Sequence, residues 1–453
     1  MAVRPRSPTW RPAVCAVAAY LAAEPVTAET LAQALSSAYR GNPTLGAERA
    51  RQRADDESVP RALSGYFPSL AATVGFGPSL DRAGSGRFSL TQPLALGFSA
   101  SQTITNFGRT LNAVRSAESN VLAGRETLRG TEADVLLSAA TAYMDILRDR
   151  AIVELQRGNI GALEEVLRAT RKRVELGDLR PTGQAQAEAR LARGRADLAV
   201  AEANLVASRA SYRLAVGHEP GTLGFPAADV AASMQLRGSL ADGAADAPSI
   251  RSAAHLADAA ELDAAGATAE LLPTLGFRGS GSSSLGRSLT ASDIPLLAGE
   301  VALEIPIYDG GAAYAQVRQA KEIVGQRRFE LAAATDQVRA DIRSAWGVLQ
   351  SARASIPSAE AAIAANEVAL AGVQREQLAG QRTILDVLNA QQELLNARTS
   401  LVTARRDRVV AAFSLLAATG DLTAARLHLP GPHYRPEVHY RQVRDKRFGL
   451  EVP

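Results

Sequence analysis

Apolar side chains recur every seven positions along one stretch of the chain, at Ile342, Leu349, Ile356, Ile363 and Leu370. A second seam runs beside them at Ala345, Ala352, Ala359, Asn366 and Val373. A sustained seven-residue repeat keeps one face of a helix against a neighbour and imposes a left-handed supercoil. Bulky Ile and Leu next to small Ala predict helices in close contact. After a break at Leu378-Ala379-Gly380-Gln381-Arg382-Thr383 the pattern resumes at Ile384, Leu388, Gln391, Leu395 and Val402. Residues Gly310 to Thr419 therefore read as a helical hairpin bent at 378–383. An arm of about 65 residues at about 1.5 Å each is a rod on the order of 100 Å. Pro357 sits inside the rising arm, removes one backbone donor and predicts a modest kink.

The hairpin has a twin. Ile104-Thr105-Asn106-Phe107-Gly108 matches Ile307-Tyr308-Asp309-Gly310-Gly311 at an offset of 203. Gly177 matches Gly380, and Ser211 to Gly217 matches Ser414 to Gly420, at the same offset of 203. Phe67-Pro68-Ser69-Leu70 matches Leu272-Pro273-Thr274-Leu275 at 205. A fixed long period is the mark of a repeated structural unit. The unit is strand, loop, strand, long helix, bend, shorter helix. The expected organisation is a first repeat over 29–217, a connecting segment at 218–246, a second repeat over 247–420 and a tail at 421–453.

The strand candidates come in two pairs with alternating patterns. Leu70, Ala72, Val74 and Phe76 form the first, and Leu96, Phe98, Ala100 and Ile104 the second. In the second repeat they are Leu275 with Phe277, and Val301, Leu303, Ile305 and Ile307 running on to Tyr308. Asp81–Arg87 and Gly279–Leu285, rich in Gly and Ser, read as the loops between them. Alternating segments of about ten residues are the weak signature of a transmembrane β-barrel. Four strands are too few to close one, since about eight are needed. Copies related by cyclic symmetry remove that shortage.

Composition and charge narrow the function. Arg4, Arg6 and Arg11 precede an apolar run, Ala13 to Ala23, and a small-x-small site at Val26-Thr27-Ala28, so residues 1–28 read as a secretory signal. The one cysteine, Cys15, lies in that segment. Without it the net charge falls from +3 to about +1, which argues against nucleic acid as a partner. No nucleophile–base–orienter set stands out, and Gly75-Phe76-Gly77 lacks the further glycine of a dinucleotide loop. Neither an enzyme nor a cofactor is expected. His428, His433 and His439 fall among prolines and arginines in a tail expected to be solvated, with no standard zinc spacing.

Three stretches carry a family resemblance: Ala298 to Lys321, Val174 to Ala192 and Gly380 to Arg398. With them the chain resembles the TolC family, the outer-membrane exit ducts of type I secretion and tripartite efflux. The tail from His433 to Leu450 resembles the type I secretion branch more than the drug-efflux branch. The resemblance implies a mainly α fold with a transmembrane β part. Three protomers would share a twelve-stranded outer-membrane β-barrel, continued by a long periplasmic α-barrel. It implies a periplasmic adaptor and an inner-membrane ABC or proton-driven transporter as partners.

Site residues also follow from the resemblance. Arg382 resembles the latch that holds one helix to its neighbours in the shut state, and Thr182 a latch partner in the first bend. The neighbouring aspartate of the family aligns with Gly183, leaving Asp178 as a substitute. Asp386 resembles the first of two carboxylates whose rings narrow the pore, and Asn389 departs from the second. Leu176, Gly177, Ala379 and Gly380 match the bend residues on which the adaptor docks. On the residues alone, Gly177 and Gly380 need only a left-handed backbone, and Asp386 only a helix dipole. The competing reading is a periplasmic coiled-coil adaptor, which would carry a single hairpin and a lipoyl-like β domain.

Overall fold

The computed structural model describes residues 28–82, 88–91, 94–177, 179–226, 246–285 and 296–452. The signal segment with Cys15, most of the connecting segment and Asp178 lie outside them. Three short helices open the described chain: α1 (Leu31–Gly41), α2 (Pro43–Asp56) and α3 (Ser58–Leu63). Strands β1 (Ser69–Phe76), β2 (Ser79–Arg82), β3 (Phe88–Thr91) and β4 (Leu94–Thr105) follow. Next come α4 (Arg109–Glu175), α5 (Pro181–Val216) and α6 (Pro248–Ala269). The second half adds β5 (Thr274–Leu285), β6 (Leu296–Glu304), α7 (Ala312–Leu378), α8 (Ile384–Ala418) and a terminal α9 (Pro436–Val443). No described helix is long and apolar enough to cross a membrane.

The duplication is visible element by element. Helices α4 and α7 have the same length, 67 residues, and so reach about 100 Å at about 1.5 Å per residue. Each starts after a left-handed glycine, Gly108 at φ 96° and Gly311 at φ 91°. An Asx side chain at matching positions caps each first turn. Asn106 Oδ1 accepts from the Thr110 amide at 3.2 Å, and Asp309 Oδ2 from the Ala313 amide at 2.7 Å. Such caps satisfy amides that a helix start leaves without partners.

Both heptad seams face inward as the spacing predicts. Ile342, Leu349, Ala352 and Ala359 are buried, and the rest of the two seams is half-buried. Helix α7 runs through Pro357 without a break. The largest core lies midway along the rods, where Leu31, Leu35 and Tyr39 of α1 meet Leu136, Tyr143 and Ile146 of α4. Tyr212 of α5, Phe413 of α8 and Leu422 beyond it complete that cluster.

The four-stranded sheet is antiparallel, in the order β1-β4-β5-β6, and β2 and β3 form a separate hairpin not foreseen from the sequence. Residues opposite one another in register share a face. Leu70↔Ala100, Ala72↔Phe98 and Val74↔Leu96 place the apolar positions of β1 and β4 together. Leu96↔Ser283, Phe98↔Gly281 and Ala100↔Gly279, then Phe277↔Val301 and Leu275↔Leu303, extend that face across the sheet. The opposite face carries Ser69, Thr73, Ser99, Ser101, Thr103, Ser280 and Ser282. In β1 both faces are exposed, Val74 to 72%. One sheet with an apolar face and a hydroxyl-rich face, neither covered, is a wall between lipid and water. Aromatic residues gather where the strands give way to helices: Tyr66, Phe67, Phe107 and Tyr308, all exposed. That is the place of an interfacial aromatic girdle.

Three expectations are corrected. Gly279–Leu285 is strand β5, not a loop, because neighbouring side chains cover its small residues. A Cβ at Gly279 would touch the Phe277 ring at 3.5 Å, and one at Gly281 would touch Leu297 at 3.3 Å. The strand placed over Val301–Tyr308 lies instead at Leu296–Glu304, since Pro306 offers no donor to a ladder. The tail is docked rather than solvated. His439 of α9 is buried, and its Nδ1 lies 2.9 Å from Oδ2 of the fully buried Asp56 in α2. Upstream, Tyr434 donates its amide to the Tyr39 hydroxyl at 2.9 Å. No metal-binding cluster exists among the described residues.

Candidate functional site: the paired helix bends

At the end of the rods far from the sheet, each hairpin turns. In the second bend Gly380 has φ 75°, a left-handed conformation that glycine adopts without a side-chain clash. The Gly380 amide donates to Gln377 O at 3.1 Å and Gln381 to Glu376 O at 2.9 Å. These two bonds close the end of α7 in a Schellman motif. The first bend repeats the device with Gly177 at φ 80° and its amide on Val174 O at 3.0 Å. Leu176 stands 69% exposed beside it, and Ala379 and Gly380 are exposed too. Both bends therefore present an open apolar or glycine surface.

The descending helices start differently. Thr383 caps α8 in a capping box: its hydroxyl accepts from the Asp386 amide at 3.3 Å. In return Asp386 Oδ2 accepts from the Thr383 amide at 2.9 Å and hydroxyl at 2.8 Å. These bonds to Thr383, with Arg382 nearby, hold the Asp386 carboxyl below its ordinary value of 3.8. Asp386 thus stays anionic as both a cap and a surface charge. Helix α5 has no such cap and begins instead with Pro181 at its first position.

The two bends sit side by side. A Cβ on Gly183 would meet Ile384 Cγ2 at 3.5 Å, so the first turns of α5 and α8 touch. Below them Leu163 and Leu167 of α4, Ala187 and Leu191 of α5 and Leu388 of α8 make a small core joining both hairpins. Beside that core, Arg190 of α5 donates to Asn389 Oδ1 of α8 at 2.7 Å. Asn389 stands out in the sequence and Arg190 does not. No periodicity links two polar positions 199 apart on different helices.

Arg382 also has a partner inside its own chain: its Nε lies 3.0 Å from Glu376 Oε2. Both side chains are about half exposed, 53% and 47%. Thr182 lies exposed on the first turn of α5. Asp178 is outside the described residues. The structure thus brings Arg382, Asp386, Asn389 and Gly380 into one bend, with Gly183 against it.

Known proteins match this architecture. The family model for "Outer membrane efflux protein" matches residues 34–218 and 242–421. The outer membrane efflux protein BepC of Brucella suis biovar 1 (strain 1330) is 37% identical over 444 residues, covering 96% of this chain and 94% of BepC. Among solved structures, the Campylobacter jejuni CmeC outer membrane channel superposes with a TM-score of 0.78 at 15% identity, over 92% of this chain and 89% of CmeC. The outer membrane protein VceC of Vibrio cholerae gives 0.74 at 21% identity, over 86% and 96%. The chain belongs to the outer membrane efflux protein family: it is an exit duct of the outer membrane with a large periplasmic part, a conduit rather than an enzyme.

Proposed function

We propose that three copies of this chain form the duct, and that the paired bends are its periplasmic gate. The unpaired edges of the sheet carry this reading. Strands β1 and β6 each have a neighbour on one side only. Inside a bilayer, unpaired backbone groups cost several kcal/mol each, so β1 of one copy pairs with β6 of the next. Four strands from each of three copies make a twelve-stranded barrel. The long helices then curve side by side into a periplasmic tunnel.

At the tip, Arg190–Asn389 ties the two hairpins of one protomer together, and Arg382–Glu376 braces the second bend. Opening separates α5 from α8, which requires the Arg190 bond to break. A charge-assisted bond of this kind is modest at an exposed site, about 1 kcal/mol, which suits a gate that must yield. Arg382 and Thr182, with Asp178, form the latch between neighbouring copies, and Asp386 supplies a ring of carboxylates at the constriction. Leu176, Gly177, Ala379 and Gly380 are the docking surface for a periplasmic adaptor, which links the duct to an inner-membrane ABC or proton-driven transporter. The form of the tail favours a type I protein secretion partner.

Planar-bilayer recording tests the gate. Arg190→Ala and Arg382→Ser should each raise the single-channel conductance of the resting channel several-fold. A conductance unchanged in both variants would place the constriction elsewhere.

A further inference from the structure

We infer that the periplasmic mouth of the β-barrel carries its own charge filter, built from Arg278, Glu300 and Glu304, which favours cationic over anionic solutes. The inference rests on the trimeric duct proposed above. Within the four-stranded sheet these three are the charged residues of the described strands, and all three fall on the hydroxyl-rich face. The register sets Arg278 opposite Glu300, and Thr274 opposite Glu304. Arg278 reaches along the face to Glu304, its guanidinium 3.3 Å from Oε2, with both side chains well exposed, 63% and 74%.

The charges cluster at one end of the wall. Glu304 ends β6, seven residues before the left-handed Gly311 that opens α7, and so lies on the periplasmic side. Glu300 stands about 13 Å farther in at about 3.3 Å per residue. Beyond it the same face continues with Ser280, Ser282, Ser99, Ala71 and Thr73, all small. Nothing else charged on the four-stranded sheet competes with the cluster. Two carboxylates against one guanidinium leave one negative charge per protomer, hence three around a closed barrel. A ring of one sign on the wall of a water-filled barrel concentrates counter-ions beside it and repels co-ions.

The chain's only cysteine, Cys15, makes a reporter assay simple. In a Cys15→Ser background, Ala302→Cys sits on the water-facing side between the two glutamates, and Val301→Cys on the apolar side. Outer-membrane vesicles are treated with cationic and anionic methanethiosulfonates of similar size. Ala302→Cys should react, with the cationic reagent faster by roughly threefold or more. Adding Glu300→Gln should reduce that preference, and adding Arg278→Gln should increase it. Reversal potentials of the same variants give an independent reading if labelling is slow. Equal reaction of both reagents at Ala302→Cys, unmoved by either added change, overturns the filter alone. Reaction at Val301→Cys as fast as at Ala302→Cys overturns the membrane placement of the sheet, and the filter with it.

Discussion

Arg190 and Asn389 meet at 2.7 Å across two hairpins, while Asp386 one turn earlier is committed to its own helix cap. The sequence made Asp386, Gly177 and Gly380 legible, because caps and left-handed glycines depend on neighbours a few positions away. It left Arg190 silent, because its partner is distant in the chain and the contact is between exposed polar faces. Asp386 leads to a pH prediction. Its carboxyl is held below the usual range, so the cap's contribution is present above about pH 4 and is lost as pH falls through the lowered value. Asp386 itself should accordingly keep its charge from neutral pH down to about pH 4. The part of the cation selectivity that Asp386→Asn removes should be flat over that range, and a midpoint above about pH 5 in that difference would contradict the capping geometry. A second carboxyl behaves oppositely. Burial raises Glu132, whose Oε1 accepts from the Ala424 amide at 2.6 Å and anchors the start of the tail. A raised acid adds stability at low pH and loses it as pH rises through its value. Glu132→Gln keeps an acceptor and should be neutral or slightly stabilising at neutral pH. Glu132→Ala should cost about 1–3 kcal/mol by leaving the amide without a partner. Thermal unfolding of the two variants separates these outcomes.

At the scale of elements, the heptads made the long helices readable and the strands less so. A stripe of Ile and Leu every seven residues is strong because each site is buried by the same neighbour, as Ile342 and Leu349 are, at 1% exposure each. Leu349→Ala should therefore cost about 2–5 kcal/mol, seen as a drop in the melting temperature of the helical signal. A loss below about 0.5 kcal/mol would mean the seam is not packed. Strand β5 hid because Gly279 to Ser284 has no large side chain to show alternation. Its apolar cover comes from Phe277 and from Leu297 on the next strand. The docked tail was hidden for a similar reason, since His439 and Asp56 are 383 positions apart. Asp56→Ala would leave His439 buried without its partner, and should free α9. Limited proteolysis should then cut near 430–445 in the variant while sparing the wild type. Equal resistance of both would show that the pair does not hold the tail.

The whole molecule is an incomplete object in one copy. Its sheet ends in two open edges, its apolar strand face is bare, and exposed apolar residues such as Val206, Leu214 and Phe329 stud its helices. Repetition of one unit within the chain supplies two strand pairs and two hairpins, and repetition of the chain itself supplies the closure. The most direct test is to join β1 of one copy to β6 of the next. Cysteines placed at Thr73 and Ala302, on the water-facing side of the two edge strands, are bridged by short thiol crosslinkers in outer-membrane vesicles carrying Cys15→Ser. Covalent dimers and trimers are expected, with no larger species, and single-cysteine controls should stay monomeric. Monomers alone, or a ladder extending past three chains, would rule out closure of the barrel by three copies.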